Sequence, residues 1–133
     1  MIRALHDIPI LFQACRFAAC AHQGQKRDGG AGEPYIVHPI AVAEILIREG
    51  SIMDAEILAA ALLHDTIEDA PLPLRAEVVS EIGRKFGLGI LALVLEVTDN
   101  PAPRDERRQA QLDKAPKLSR GAACIKLADK LAN

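Results

Sequence analysis

The chain has 133 residues, half of them apolar and 26% charged, which suffices for one domain with a real core and not for two. A formal net charge of −2 gives no sign of a general nucleic-acid binder, since no surplus of cations is present to neutralise phosphates; an anionic ligand needs a local cluster or a metal. No apolar run approaches the ~20 residues of a membrane span, Met1 to Pro9 has neither signal- nor transit-peptide character, and Cys15, Cys20 and Cys124 lack C-x-x-C spacing, so a cytoplasmic protein with reduced thiols is expected.

In chain order, Pro9 is read as opening a first helix to about His22, with Leu11, Phe12, Cys15, Ala18 and Ala19 at helical spacing. Gly24 to Gly32 is a polar, glycine-rich break. A second helix follows His38, because Pro39 suits a first helical position, and ends near Gly50. Ser51 and Asp54 have the spacing of a capping box for a third helix, which runs through Ile57, Ala60, Ala61 and His64 until Pro71 and Pro73 stop it. Helices over about Leu74 to Phe86 and Leu88 to Val97 follow. Asn100 to Arg120 reads as a loop with a short exposed helix around Glu106 to Leu112, and a last helix starts near Ser119. The pattern predicts an all-α fold with no internal repeat.

Three features carry chemistry. In the run Leu62 to Asp69 (LLHDTIED), helical spacing puts Glu68 over His64 and Asp69 over Asp65. Three carboxylates and an imidazole then crowd the end of a greasy helix, where negative charge opposes the macrodipole, and a bound cation is the simplest compensation. Adjacent residues of a helix point about 100° apart, so His64 and Asp65 can share a metal most easily where the helix frays. His38-Pro39 taken alone is only a histidine before a helix. Lys126, Asp129 and Asn133 share a face at i, i+3 and i+7, which in isolation is the polar side of an amphipathic helix.

Together His38, His64-Asp65 and Asp129 have the order H…HD…D, and the chain resembles the HD phosphohydrolase superfamily. The blocks AHQGQ (21–25), PYIVHP (34–39), AALLHDTIED (60–69), VTD (97–99) and IKLADKLAN (125–133) are similar to the (p)ppGpp hydrolase domain of RelA/SpoT enzymes, and the size to the small alarmone hydrolases, metazoan SpoT homologues among them. The resemblance implies an HD-domain helical bundle in which His38, His64, Asp65 and Asp129 ligate one divalent metal, usually Mn²⁺, with Fe²⁺ or Zn²⁺ compatible with the donor set. It implies that Glu68 and Asp69 are the catalytic acidic pair, that Arg27 packs on the guanine base and that Asn133 lines the nucleotide pocket. Lys126, Lys130, Arg104, Arg107 and Arg108 are candidates for holding the pyrophosphate, with solvated surface charge the better reading for each arginine.

The implied reaction is hydrolysis of the 3′-pyrophosphate of (p)ppGpp to GDP or GTP and pyrophosphate. Two alternatives are an HD hydrolase of another phosphorylated nucleotide (ppApp, or the 2′-phosphate of NADPH) and a non-catalytic nucleotide sensor. The partner is a small nucleotide, with no nucleic acid and no membrane. Two departures from the family text stand out. Gln25 to Tyr35 reads QKRDGGAGEPY, with Asp28 where a lysine is common and about two extra residues before Pro34. The single domain is expected to lack the C-terminal helices that enclose the substrate in relatives.

Overall fold

A computed structural model describes residues 2–27 and 32–133; the departure at Asp28 lies outside the described residues. The described residues form seven α-helices: α1 (Ala4–Ala21), α2 (Val37–Arg48), α3 (Ala55–Leu63), α4 (Arg75–Phe86), α5 (Leu88–Val97), α6 (Arg104–Lys114) and α7 (Arg120–Ala132). Short 3₁₀ turns precede α4 (Leu72–Leu74) and follow α6 (Ala115–Lys117), and no strand occurs among the described residues. The fold is all-α.

The centre is α3. Its sequence AEILAAALL has high helix propensity, and the Asp54 carboxylate caps it by accepting from the backbone N–H of Glu56 (2.8 Å) and Ile57 (3.2 Å). Leu58 to Leu63 are all buried, and α3 packs against α1, α2, α5 and α7. Alanines at 59, 60 and 61 let four helices approach one axis, while Leu58 and Leu63 fill the space between them; either truncated to alanine is expected to cost about 2–5 kcal/mol. Val42, Ile82, Val94 and Ile125 bring α2, α4, α5 and α7 into this one core.

Several boundaries differ from the sequence reading. The first helix begins at Ala4, with Pro9 inside it, because the Asp7 carboxylate reaches back to the Arg3 N–H (2.6 Å) and holds a turn ahead of the proline. The second begins at Val37, so His38 and Pro39 are its second and third residues; the first turn has no intrahelical N–H bonds for a proline to break. Ser51 does not cap α3: it sits at φ 51°, in the left-handed region, and Asp54 is the cap. The fourth begins one residue later than expected, at Arg75. The helix expected around Glu106 to Leu112 extends over Arg104–Lys114, and α7 is capped by Ser119, whose Oγ accepts from Ala122 N (3.3 Å).

The largest difference lies at the end of α3. The helix stops at Leu63, and His64 to Asp69 form a series of tight turns, with Thr66 N donating to Leu63 O (3.0 Å) and Ala70 N to Ile67 O (3.2 Å). The Arg75 guanidinium donates to the carbonyls of Glu68 and Ala70, so carbonyls that a longer helix would satisfy are satisfied by a side chain.

Candidate active site

Because α3 ends where it does, the directional conflict between His64 and Asp65 disappears. Off the helix, their side chains turn to a common point, and His38 from the first turn of α2 and Asp129 from α7 reach it too. The ligating atoms of His38, His64 and Asp65 all lie within 4.8 Å of one another. Asp129 Oδ1 is 2.7 Å from His38 Nε2 and 3.4 Å from His64 Nε2, and Asp65 Oδ2 is 3.0 Å from His64 Nε2. All four residues assigned as metal ligands from the sequence therefore meet.

These residues fit a divalent cation. His64 Nδ1 donates to Ala61 O (2.7 Å), which fixes its proton there and turns Nε2 toward the cluster. Among the described residues His64 Nε2 is buried with no hydrogen-bond partner, since neither nearby carboxylate lies in hydrogen-bond geometry, and His38 Nδ1 is likewise buried without one. Electrostatics point the same way. Burial opposes charge on His64, yet the Asp129 and Asp65 carboxylates outweigh it and push the imidazole up to about 10. Burial works against the Asp129 and Asp65 anions as well, but the histidines hold both below the ordinary carboxylate range, helped at Asp65 by Tyr35. The cluster thus has a marked affinity for positive charge, and two imidazoles with two carboxylates form a borderline-hard donor set.

On one flank of the cluster is a cavity of about 730 Å³. Glu68 lines it, and Glu68 Oε1 accepts from the Asp99 N–H (2.8 Å). Asp99 in turn accepts from Gln111 Nε2 (2.6 Å) and faces Lys126 Nζ (3.5 Å). Six basic side chains line the same space: Arg104, Arg107, Arg108, Lys114, Lys126 and Lys130. The α6 arginines, read from sequence as pyrophosphate candidates but better as solvated surface, are exposed and also line this cavity. Helix α6 has no buried residue and is tied down by Gln111 to Asp99 and by Lys114 Nζ to Thr98 O (3.1 Å).

On the other flank lie Asp69, Arg27 and Asn133, none of which lines that cavity. Asp69 Oδ2 accepts from Gln25 Nε2 (3.0 Å), and Arg27 donates to Asn133 Oδ1 (3.1 Å) with its guanidinium 5.6 Å over the Tyr35 ring. A short hairpin pins this flank: Tyr35 N donates to Gln25 O and Arg27 N to Glu33 O, both at 2.9 Å. The Tyr35 hydroxyl donates to Asp65 Oδ2 (2.6 Å), linking hairpin and cluster. Burial raises the pKa of both Glu68 and Asp69, making each a stronger base than a free carboxylate. Tyr35, Gln25, His22 and Asp99 all sit in sequence blocks that resemble the family, but their partners are distant in sequence, and no spacing rule reveals them.

Comparison with known proteins agrees with this geometry. The HD domain family matches residues 14–133. Guanosine-3′,5′-bis(diphosphate) 3′-pyrophosphohydrolase MESH1 of Homo sapiens is 47% identical over 124 residues, and that of Drosophila melanogaster 40%. Each match covers 92% of this chain and 66% of the relative, so the chain spans about two thirds of their length. The bifunctional (p)ppGpp synthase/hydrolase SpoT of Escherichia coli is 39% identical over 96% of this chain and 18% of its own. A solved structure of a metazoan ortholog of SpoT, which hydrolyses ppGpp and plays a role in starvation responses, superposes with a TM-score of 0.82 at 38% identity, covering 93% of this chain and 67% of that one. With its H…HD…D residues gathered at one point and its length matched from residue 14 onward, the chain belongs to the HD-domain family.

Proposed function

We propose that this protein is a metal-dependent (p)ppGpp 3′-pyrophosphohydrolase, with His38, His64, Asp65 and Asp129 holding one Mn²⁺. The observation that carries the reading is the His/Asp cluster with an acidic residue on each side, Glu68 facing the cation-lined cavity and Asp69 facing the hairpin. The names of its relatives support the substrate. Three free thiols support a reducing, cytoplasmic setting.

A divalent cation in the cluster supplies Lewis-acid activation of water and charge neutralisation at the phosphoryl group. The chain's own residues do the rest. Arg104, Arg107, Lys126 and Lys130 receive the pyrophosphate, since charge-assisted hydrogen bonds to phosphoryl oxygens are the strongest such side chains make. Arg27, backed by Tyr35 and Asn133, offers a planar face for the base. Glu68 or Asp69 takes the proton of the attacking water. The water oxygen bonds to the phosphorus on the ribose 3′-oxygen, the P–O3′ bond breaks, and the 3′-oxygen receives a proton. GDP or GTP and pyrophosphate leave. Holding the reactants in line and neutralising charge is the greater part of such catalysis.

The test is to incubate the protein and Mn²⁺ separately with ppGpp, ppApp and NADPH and to resolve the products. The reading expects GDP and pyrophosphate from ppGpp, with slower turnover of the other two. Phosphate release from NADPH alone overturns the substrate assignment, and binding of ppGpp without any product overturns the catalytic one.

A further inference from the structure

Asp69 is held from behind by two side chains. His22, at the end of α1, is buried, and its Nδ1 lies 2.9 Å from Gln25 Oε1. Gln25 Nε2 lies 3.0 Å from Asp69 Oδ2. Directions follow from chemistry. A carboxylate only accepts, so the amide nitrogen of Gln25 must face Asp69 and its oxygen must face His22. That oxygen only accepts as well, so His22 Nδ1 must carry the proton. The sequence is then fixed end to end: His22 Nδ1–H donates to Gln25 Oε1, and Gln25 Nε2–H donates to Asp69 Oδ2.

His22 is a costly way to fill a core position. In the neutral ring with its proton on Nδ1, Nε2 is a lone pair, and this atom is buried without a partner among the described residues. An unsatisfied buried acceptor weakens folding, a loss that an apolar residue of the same size would avoid. Packing against Tyr35, 4.7 Å away between ring centres, needs no nitrogen. The hairpin adds a second restraint, since Gln25 N donates to His22 O (2.9 Å) and Gln25 O accepts from Tyr35 N (2.9 Å). Gln25 therefore bridges α1, the hairpin and the turn that carries Asp69.

We infer that His22 and Gln25 are positioning residues, a donor relay that fixes the orientation of the Asp69 carboxylate for proton transfer. The inference rests on the catalytic reading of Asp69 above. Through the relay, Asp69 Oδ2 is occupied by a fixed donor, so the other carboxylate oxygen is the one left for the reacting water. A base aimed in advance loses less on reaching the transition state than one free to rotate.

The test is a double-mutant cycle on the Mn²⁺-loaded protein with ppGpp as substrate. Gln25→Leu keeps the bulk and removes the relay; it is expected to lower kcat about 10-fold or more, with KM within about twofold and metal content unchanged. In the Asp69→Asn background the same change is expected to have no further effect on kcat. His22→Asn supplies an amide donor where Nδ1–H stands and is expected to keep most of the rate. His22→Gln, whose donor reaches instead toward the Nε2 position, is expected to behave like Gln25→Leu. Equal losses from Gln25→Leu in both backgrounds, or equal losses from His22→Asn and His22→Gln, overturn the relay. A full-rate Gln25→Leu beside an impaired Asp69→Asn overturns the relay alone and spares the catalytic reading. Asp69→Asn at the parental rate removes the catalytic reading, and the relay falls with it. Should the buried His22 variants fail to fold, the Gln25 cycle decides by itself.

Discussion

The two walls of the cavity are built in opposite ways. The wall bearing His64, Asp65 and Glu68 stands on the most deeply buried helix of the molecule; Ala61 O holds His64, Tyr35 holds Asp65 and the Asp99 N–H holds Glu68. The wall bearing Arg104, Arg107 and Arg108 is a helix with no buried residue, fastened by Gln111 and Lys114. The first wall is thus held from the core and by backbone groups, and the second by two side-chain hydrogen bonds. Changes to the first wall should act on metal and kcat, and changes to the second on KM.

The sharpest way to break that contrast is to remove a ligand. His64→Ala or Asp65→Ala is expected to abolish metal binding, and with it turnover, because the four donors come together from α2, α7 and one turn and leave no substitute among the described residues. Metal analysis of the purified variants checks this, and normal occupancy in either one ends its assignment. Next in size are Glu68→Gln and Asp69→Asn, which keep shape and remove charge. Each is expected to retain metal and lose about 10²-fold or more in kcat, read from initial rates at saturating substrate.

On the second wall the effects should be milder and of a different kind. Arg107→Ala is expected to raise KM about 10-fold while metal content, Tm and kcat stay near parental values. A fall in kcat matching the Asp69→Asn loss would place α6 with the first wall. The smallest expected effect is on stability. Burial raises the Glu68 pKa, so the folded protein holds that proton more tightly than the unfolded chain does, and the ionised side chain weakens folding at neutral pH. Glu68→Gln in chelator should therefore melt slightly higher than the parent at pH 7. The gap should close as pH falls through the raised pKa toward the ordinary glutamate range, as paired melting curves would record.

Much of this was legible in the residue order, for identifiable reasons. Leu88–Val97 was read to the residue because Gly87, at φ 89°, separates it from α4 and an apolar run fills it. The four proposed ligands came from the family resemblance, carried by the order H…HD…D and its flanking blocks, and from no spacing rule. The run 64–69 was read as helix because its i, i+4 spacing mimics one; from Leu63 on, backbone carbonyls are taken up by Thr66 and by the Arg75 guanidinium, the latter a contact spanning seven residues that no local rule contains. That the exposed α6 arginines also face the cavity was hidden for a similar reason. Nothing around Arg104 to Arg108 reveals that Gln111 folds the helix back onto Asp99. The tyrosine, glutamine and histidine behind the cluster escaped notice because Tyr35 finds Asp65 across 30 residues and Gln25 finds Asp69 across 44.

The pairing of His38 with Asp129 spans 91 residues and bears on how the site is assembled. At a synthesis rate of roughly 5–20 residues per second, about 5–20 s pass on the ribosome between the two residues. Through that interval His38, and soon His64 and Asp65, exist as a three-donor fragment while α7 has yet to be made. Asp129 and the cavity cations Lys126 and Lys130 then arrive together on one helix. The docking of α7 that would complete the proposed ligand set is thus also the event that brings these two cations to the cavity.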